Sequence, residues 1–600
     1  MNKIILVLLS VLVMSTSISA DNLTLCYHKF EYSTTDMYSV VPEVFEWQVN
    51  YMKEKKLDII RLQRMVDYYD KGLGSIDKTA LITIDDGWKS ENAIIPIAVH
   101  YNAPVTLFLY KLVLNRSSHY FSYADLDTLK ATGVVDFGSH SYTHIPLIKK
   151  DIAVLTHEIV DGKAAVENVL KMKLDTFAYP YGMFDSEAKK MASANFKIAF
   201  GVNDGWNGEK TDKYNLNRFV IYKSIGFGEF MSYVNYAAGD KDRGYSVHFL
   251  GTGRDDEGHF DRIKFKVYRY DAKIPSKKAL IIPSSGAGPA WSYKLVKKLN
   301  ESGYDCYVVS GRNNYVPFYN PNEVMKVVKD WGIPETIRDM KETVDYAVQG
   351  GKKPVVFAWG DGFDSFMALL GSDPKYADKV SGIIAVNPSL SGALNDVDNY
   401  KQQVETYDAM LAKGQYEEEE LNFFLKVKTL LDLMVLKPGA ISPFAKTMGF
   451  PGATNKALIA RFLDSVKHPE LGFDMASFDG LLDEYKEACM QPMPLLSMVV
   501  PVAFMRDLNQ LWYGDFYSKE LGVEHVKDVN LPAAFFYSRV VGGNEAAIKS
   551  AMSSLKITDE YTWDEQSTVE ILLNEDFLEK SMPIAAAMSG EPVTATAGVK

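Results

Sequence analysis

Thr83-Ile84-Asp85-Asp86-Gly87-Trp88 sets two adjacent carboxylates at the end of a predicted buried strand. The run leading into it, Thr79-Ala80-Leu81-Ile82-Thr83-Ile84, is apolar and rich in β-branched residues, as expected of a short strand covered on both faces. Asp-Gly directly after such a run signals a turn, so both carboxylates belong at the strand's C-terminal mouth. In α/β barrels that end carries the chemistry. Taken alone, the same residues are also what an ordinary tight turn requires.

On either side of this strand the chain alternates between strand and helix patterns. Asn22 to His28 reads as a first strand and Pro42 to Glu54 as a helix, and Ile59, Ile60 and Leu62 lead into an amphipathic segment near Met65-Val66. Val105 to Leu109 and Val134 to Gly138 read as strands, each followed by a helical pattern, Tyr123 to Ala131 and Ile152 to Leu170. Thr176 to Tyr179 and Ile198 to Gly201 supply later strands. This β/α rhythm predicts a parallel sheet or barrel.

Directly after one of those strands comes Ser139-His140-Ser141-Tyr142-Thr143-His144. Histidines four apart share one side of a helical turn, so both imidazoles could reach one ion. An isolated His-x-x-x-His is equally what two unrelated histidines give by chance. With Asp86 at another strand end of the same series, however, His140 and His144 complete a two-His, one-carboxylate set with open positions, as expected of a catalytic zinc or iron-type ion. Asp85 would then stay free beside it as a base.

Together with Phe177-Ala178-Tyr179-Pro180-Tyr181-Gly182 and Asp204-Gly205-Trp206-Asn207, these motifs stand in the order found in the polysaccharide deacetylases of carbohydrate esterase family 4. The chain resembles that family over roughly Leu23 to Tyr222. It is most similar to the exported poly-N-acetylglucosamine deacetylases, through the early Tyr27-His28 and the Ala-Tyr-Pro-Tyr-Gly form of the third motif. The resemblance implies a distorted β/α barrel and hydrolysis of N-acetyl groups on an N-acetylglucosamine polymer. It further implies one divalent metal ion, zinc first, with nickel, cobalt or iron as alternatives, held by Asp86, His140 and His144. Asp85 is implied to be the general base, removing a proton as water attacks the polarised acetamide. Pro180, Tyr181, Asp204 and Trp206 are implied to contribute to the substrate and oxyanion region, with a backbone N–H near Tyr181 as an oxyanion donor.

Two positions depart from the wider family pattern. The segment Asn215-Leu216-Asn217-Arg218-Phe219-Val220 has no histidine where many members place their general acid. In the poly-N-acetylglucosamine group the early Tyr-His supplies it, so His28 is the expected acid, facing Asp85 across the metal; a buried structural histidine is the alternative. Ala178 stands where many relatives have an arginine that orients the base. Arg218 is the candidate replacement.

Past Ser246 a second unit is expected. Arg262 to Tyr268 alternates like an exposed antiparallel strand, and Ala279 to Pro283 is a buried run. Tyr304 to Val309, Pro354 to Trp359, Ile383 to Val386, Ala533 to Tyr537 and Val569 to Leu573 read as further strands with helices between. The order resembles a doubly wound α/β-hydrolase with a helical cap inserted at about 394–496. Its chemistry is missing. Ala358-Trp359-Gly360-Asp361-Gly362 puts glycine where a nucleophile elbow needs Ser, Cys or Asp, and no histidine follows the last strand. Asp361, one place along, is a minor nucleophile candidate or a turn aspartate. The expected organisation is a leader at 1–20, a deacetylase unit at 21–245 and an α/β-hydrolase-like unit at 246–600.

Composition narrows the partners. The 600 residues carry a net charge of −12 with no long basic block, which argues against nucleic acid and against an anionic membrane surface. Cys26, Cys306 and Cys489 are too few and too scattered for a disulfide framework or a cysteine zinc site. Lys3, the apolar run Ile4 to Met14 and the small residues up to Ala20 form an export-signal pattern, with cleavage expected after Ala20 and a periplasmic or secreted location. An uncleaved membrane anchor is the alternative, although the apolar core is short of the roughly 20 residues that span a bilayer, and no later stretch is long and apolar enough. The expected partner is therefore a polysaccharide substrate, with a non-catalytic polysaccharide-binding or export scaffold, or an esterase or peptidase in the second unit, as the competing readings.

Overall fold

A computed structural model describes residues 21–33, 35–240, 244–251, 265–284, 288–314, 331–388, 397–415, 421–466, 529–538, 555–563 and 568–590, with residues 328, 484, 486–491, 493 and 505–507. The expected leader and its cleavage point lie outside the described residues. The first sheet contains β1 (Leu23–Tyr27), β2 (Asp58–Ile59), β3 (Thr79–Asp85), β4 (Val105–Leu109), β5 (Val135–Ser139), β6 (Thr176–Ala178), β7 (Ile198–Phe200) and β8 (Phe219–Val220). Its order is β7-β6-β5-β4-β3-β1-β8, with β2 beside the start of β3, and every pairing is parallel.

Every residue of β1, β3 and β4 is buried, because a parallel sheet needs cover on both faces and helices supply it on the outside. The ends of the sheet curl towards each other. Between β7 and β8 the backbone closes through Leu216 N–H to the Ala199 carbonyl at 2.9 Å, Gly201 N–H to the Leu216 carbonyl at 2.8 Å and Arg218 N–H to the Asn203 carbonyl at 3.0 Å. The result is the distorted β/α barrel expected from the sequence. Inside it Phe108 crosses over Gly138 of β5, where an added Cβ would lie 2.2 Å from the ring. That ring in turn supports the Arg218 guanidinium, 5.6 Å from its centroid.

The second sheet contains β9 (Ser246–Leu250), β10 (Phe265–Tyr270), β11 (Lys277–Ile282), β12 (Tyr304–Ser310), β13 (Val355–Gly360), β14 (Gly382–Pro388), β15 (Pro532–Ser538) and β16 (Lys556–Trp563). Their order is β16-β15-β14-β13-β11-β12-β10-β9, and β10 runs antiparallel to both its neighbours while the other pairings are parallel. This is the doubly wound, α/β-hydrolase-like sheet expected. Three helices, Val397–Ala412, Leu421–Leu436 and Asn455–Val466, fall within the expected cap.

One expected element is corrected. Val569 to Leu573 is not the last strand but part of a helix, Thr568–Leu573, whose Ile571, Leu572 and Leu573 are buried. A short apolar run fits either a buried strand or a buried helix. The edge strand is instead Lys556–Trp563, where exposed residues alternate with partly buried ones.

The two units share one apolar core. Helix Pro42–Glu54 packs on the cap helix Leu421–Leu436, and Lys223 Nζ donates to Thr429 Oγ1 at 3.2 Å. Helix Phe227–Ala237 approaches the chain at Met490 so closely that a Cβ on Gly228 would lie 1.9 Å from the Met490 carbonyl. Gly138→Ala is expected to lower stability by about 1–3 kcal/mol through overpacking against Phe108, read as a lower unfolding midpoint in denaturant.

Candidate metal centre and catalytic site

The site begins where β3 stops. Asp85 is its last residue, and Asp86 (φ +82°) and Gly87 (φ +77°) then turn through left-handed backbone, a conformation Asp and Gly tolerate better than other residues. The turn sends the neighbouring carboxylates to different partners. Asp86 Oδ1 lies 3.1 Å from His144 Nε2 and 3.6 Å from His140 Nε2, and the two Nε2 atoms are 3.2 Å apart. Two ligand atoms each about 2.0–2.1 Å from a tetrahedral ion stand about 3.3 Å from one another. The triangle therefore has the size of a ligand face.

The donor chemistry fits as well. His140 Nδ1 donates to the Ala178 carbonyl at 2.7 Å, which leaves the Nε2 lone pair pointing at the triangle. Asp86 Oδ1 is buried and accepts no hydrogen bond of good geometry, while Oδ2 accepts one from Trp88 Nε1 at 3.1 Å. Burial pulls the His140 imidazole down to about 4, so it is neutral, as a ligand must be. For His144 the pull of burial is outweighed by the Asp86 carboxylate, which raises it.

The histidine segment is not the helical turn expected. Ser141 (φ +75°) and His144 (φ +64°) are left-handed, so the imidazoles converge from an irregular loop after β5. Glu158 shapes that loop. Fully buried, it accepts from Tyr142 N–H at 3.2 Å, Thr143 N–H at 2.8 Å and the Thr143 hydroxyl. Gly162, one turn on, lets its helix approach, since a Cβ there would lie 2.7 Å from the Tyr142 nitrogen.

Asp85 faces the barrel interior. Its Oδ1 receives Arg218 Nη1 at 2.7 Å, and the fully buried guanidinium also reaches Thr83 Oγ1 at 3.2 Å and donates from Nε to the Gly201 carbonyl at 2.8 Å. Burial pushes the Asp85 carboxyl up, but the Arg218 charge beside it outweighs this and holds it below the usual carboxylate range. Asp85 is therefore ionised at neutral pH. Its Oδ2 accepts the Cys26 thiol at 3.4 Å and lies 3.8 Å from His140 Nε2.

His28 follows β1, whose Tyr27 is in register with Ile84, so the ladder brings His28 alongside Asp85. Cys26, His28 and Asp85 each present an atom within 4.8 Å of the other two. Burial lowers the His28 imidazole, with Asp86 and Asp85 offsetting part of the shift. Its Nδ1 is buried without a hydrogen-bond partner.

The remaining candidates divide. Tyr181 (φ +58°) sits on the turn Pro180–Gly182 with its ring 4.5 Å from that of His144, and Pro180 is buried beneath it. Trp206 points elsewhere: its Nε1 donates to the Tyr233 carbonyl at 3.1 Å and its ring stacks on Tyr236 at 3.9 Å. Asp204 has Lys266 and Glu229 as its charged neighbours, not the histidines. Sequence reasoning missed Cys26, Trp88 and Glu158. Cys26 lies two residues before His28 on an alternating strand, so a shared face was legible; Glu158 left no local signal. Glu158→Gln is expected to weaken metal binding by about 10–100-fold, the usual cost of losing a group that orients a ligand, measured by zinc titration of the chelator-stripped protein.

The polysaccharide deacetylase family model matches residues 74–199, the stretch that holds Asp85, Asp86, His140 and His144. A search of curated protein sequences gives no match. Among solved structures, the Streptococcus pyogenes deacetylase PplD in complex with acetate is 20% identical, covering 34% of this chain and 95% of its own, with a TM-score of 0.33. IcaB from Ammonifex degensii is 20% identical over 36% of this chain and 97% of its own, with a TM-score of 0.34. A thermostable carboxyl esterase from Bacillus coagulans in complex with glycerol is 12% identical over 58% of this chain and 98% of its own, with a TM-score of 0.36. With the family match on the strand ends that carry the site, this chain contains a polysaccharide deacetylase domain, of which residues 74–199 are the matched part.

Proposed function

We propose that the first unit is a metal-dependent N-deacetylase acting on an N-acetylglucosamine polysaccharide, with poly-N-acetylglucosamine as the favoured substrate. The observation that carries this reading is the triangle of Asp86, His140 and His144 beside an Asp85 held ionised by Arg218. Asp86 Oδ1 and the two Nε2 atoms would hold the ion, zinc first, with nickel, cobalt or iron compatible with the same donors. When bound, it supplies Lewis acidity at the acetamide carbonyl and acidifies water.

The chain's own groups account for the proton movements. Asp85 takes a proton as the water oxygen bonds to the acetamide carbon, using Oδ2, since Arg218 occupies Oδ1. Arg218 also fixes the plane of that carboxylate. The backbone N–H near Tyr181 is assigned to the developing oxyanion. His28 then protonates the amine as the C–N bond breaks and acetate leaves. Because burial favours its neutral form, the proton it donates is one gained within the cycle, and Asp85 is the adjacent source.

The export-signal pattern of the sequence supports action outside the cytoplasm. No helix among the described residues is long and apolar enough to cross a membrane.

Acetate release from N-acetylglucosamine oligomers is expected to stop on chelation and to return with zinc. Asp85→Asn is expected to lose about 10²–10⁴-fold in kcat while binding metal normally, and His28→Gln to lose kcat in the same range. Chelator-insensitive release, or full activity of Asp85→Asn, would sink the reading. Comparing β-1,6 oligomers, β-1,4 oligomers and peptidoglycan tests the substrate: faster release from the β-1,6 series is expected.

A further inference from the structure

Cys26, His28 and Asp85 form a second group of possible ligands beside the first. Residues on β1 alternate between faces. Tyr27 turns away and donates its hydroxyl to Gln48 Oε1 at 2.8 Å, while Cys26 and His28 share the side that Asp85 occupies. The parallel register sets Cys26 beside Thr83 and Tyr27 beside Ile84, which brings the sulfur to the end of β3. Cys26 and Asp85 are buried and His28 is partly exposed, so the imidazole links the group to solvent.

A buried thiol commonly serves as a small apolar filler, but this one reaches a charge. Its Sγ lies 3.4 Å from Asp85 Oδ2. A sulfur about 2.3 Å and a carboxylate oxygen about 2.1 Å from a tetrahedral ion stand about 3.6 Å apart, so the S–H···O contact already has nearly the span of a ligand edge. Oδ2 is the oxygen that Arg218 leaves open, since Nη1 takes Oδ1 at 2.7 Å. His28 completes the triangle with a donor atom within 4.8 Å of the other two, and its Nδ1 is buried without a hydrogen-bond partner. The charges suit a divalent ion, because a thiolate and a carboxylate supply two negatives beside a neutral imidazole. Burial holds the thiol protonated while the Arg218 charge pulls the other way. An ion that binds here displaces that proton to water. Sulfur favours soft and borderline ions, and the set of Asp86, His140 and His144 has none.

We propose that Cys26 Sγ, His28 and Asp85 Oδ2 bind a second, thiophilic cation, such as cadmium or zinc in excess, and that this binding shuts the deacetylase off. The shut-off rests on the deacetylase reading of the first unit, whereas the binding does not. One ion takes both the carboxylate oxygen assigned to accept a proton and the imidazole assigned to deliver one. The same residues thereby serve the reaction when free and block it when bound.

The test titrates the zinc-loaded full chain with cadmium. The ultraviolet cadmium–thiolate charge-transfer absorption is expected to grow in, and acetate release to fall in step with it. Cys26→Ser is expected to lack that absorption. Cys306 and Cys489 are present in both proteins, so the difference reports Cys26. Each protein's acetate release is compared with its own cadmium-free rate: the parent chain is expected to lose at least about 10-fold at cadmium levels that leave Cys26→Ser running. His28→Gln is expected to bind cadmium at least about 10-fold more weakly, the least that losing a group at a metal site costs. His144→Ala is expected to keep the absorption, which separates the two sites. No thiolate absorption in the parent chain, the same absorption in Cys26→Ser, its loss in His144→Ala, or equal inhibition of Cys26→Ser would overturn the proposal. Thiolate absorption in a chain that releases no acetate even without cadmium would sink only the deacetylase reading, and acetate release without the absorption only the second site.

Discussion

The ion pair between Arg218 and Asp85 is the constraint around which the first unit is built. Both groups are buried in the barrel interior, 2.7 Å apart, and removing one partner of such a pair costs about 3–5 kcal/mol because the other charge is stranded. The barrel spends several features on keeping it intact. The Gly201 carbonyl and the Thr83 hydroxyl take further guanidinium hydrogens, Phe108 lies against its face, and Gly138 leaves the space for that ring. The closure of the barrel at Leu216 and Arg218 brings the guanidinium to the end of β3. Closing the barrel therefore also fixes the Asp85 carboxylate and keeps it charged.

Around that pair, backbone conformation divides labour among side chains that are neighbours in sequence. Asp85 ends a regular strand and points inward, while Asp86, in left-handed backbone, points to the histidines. Had the strand run on, alternation would have placed Asp86 on the opposite face of the sheet. The histidine loop shows the same economy. Two left-handed residues and the hydrogen bonds gathered by Glu158 bring two Nε2 atoms to 3.2 Å without a helix.

The second unit turns from strand to helix with glycine at the tip. Gly360 takes a positive φ there, and Gly362 fits against the Pro283 carbonyl where a side chain would not. Its cap helices pack on the first unit, through Leu421–Leu436 and the contact at Gly228. One continuous apolar core therefore holds the barrel against the second sheet and its helices.

By itself the sequence determined the central strands of both sheets, because β-branched apolar runs flanked by turn residues leave little choice of conformation, while the edge strands Phe219–Val220, Ser246–Leu250 and Lys556–Trp563 escaped it. It also singled out the residues that gather at the candidate metal site, since Asp86, His140 and His144 each sit within a residue or a short loop of a strand end. The tertiary structure alone decided what those residues do to each other. Arg218 meets Asp85 across 133 residues of chain, Cys26 proves to touch the same carboxylate, and Trp206 turns from the site to pack against Tyr236. It likewise settled Thr568–Leu573 as a helix, because a short apolar run takes its conformation from the surface that buries it. Local patterns fix local backbone; charge pairing and burial depend on contacts that form only when distant strands close into one barrel.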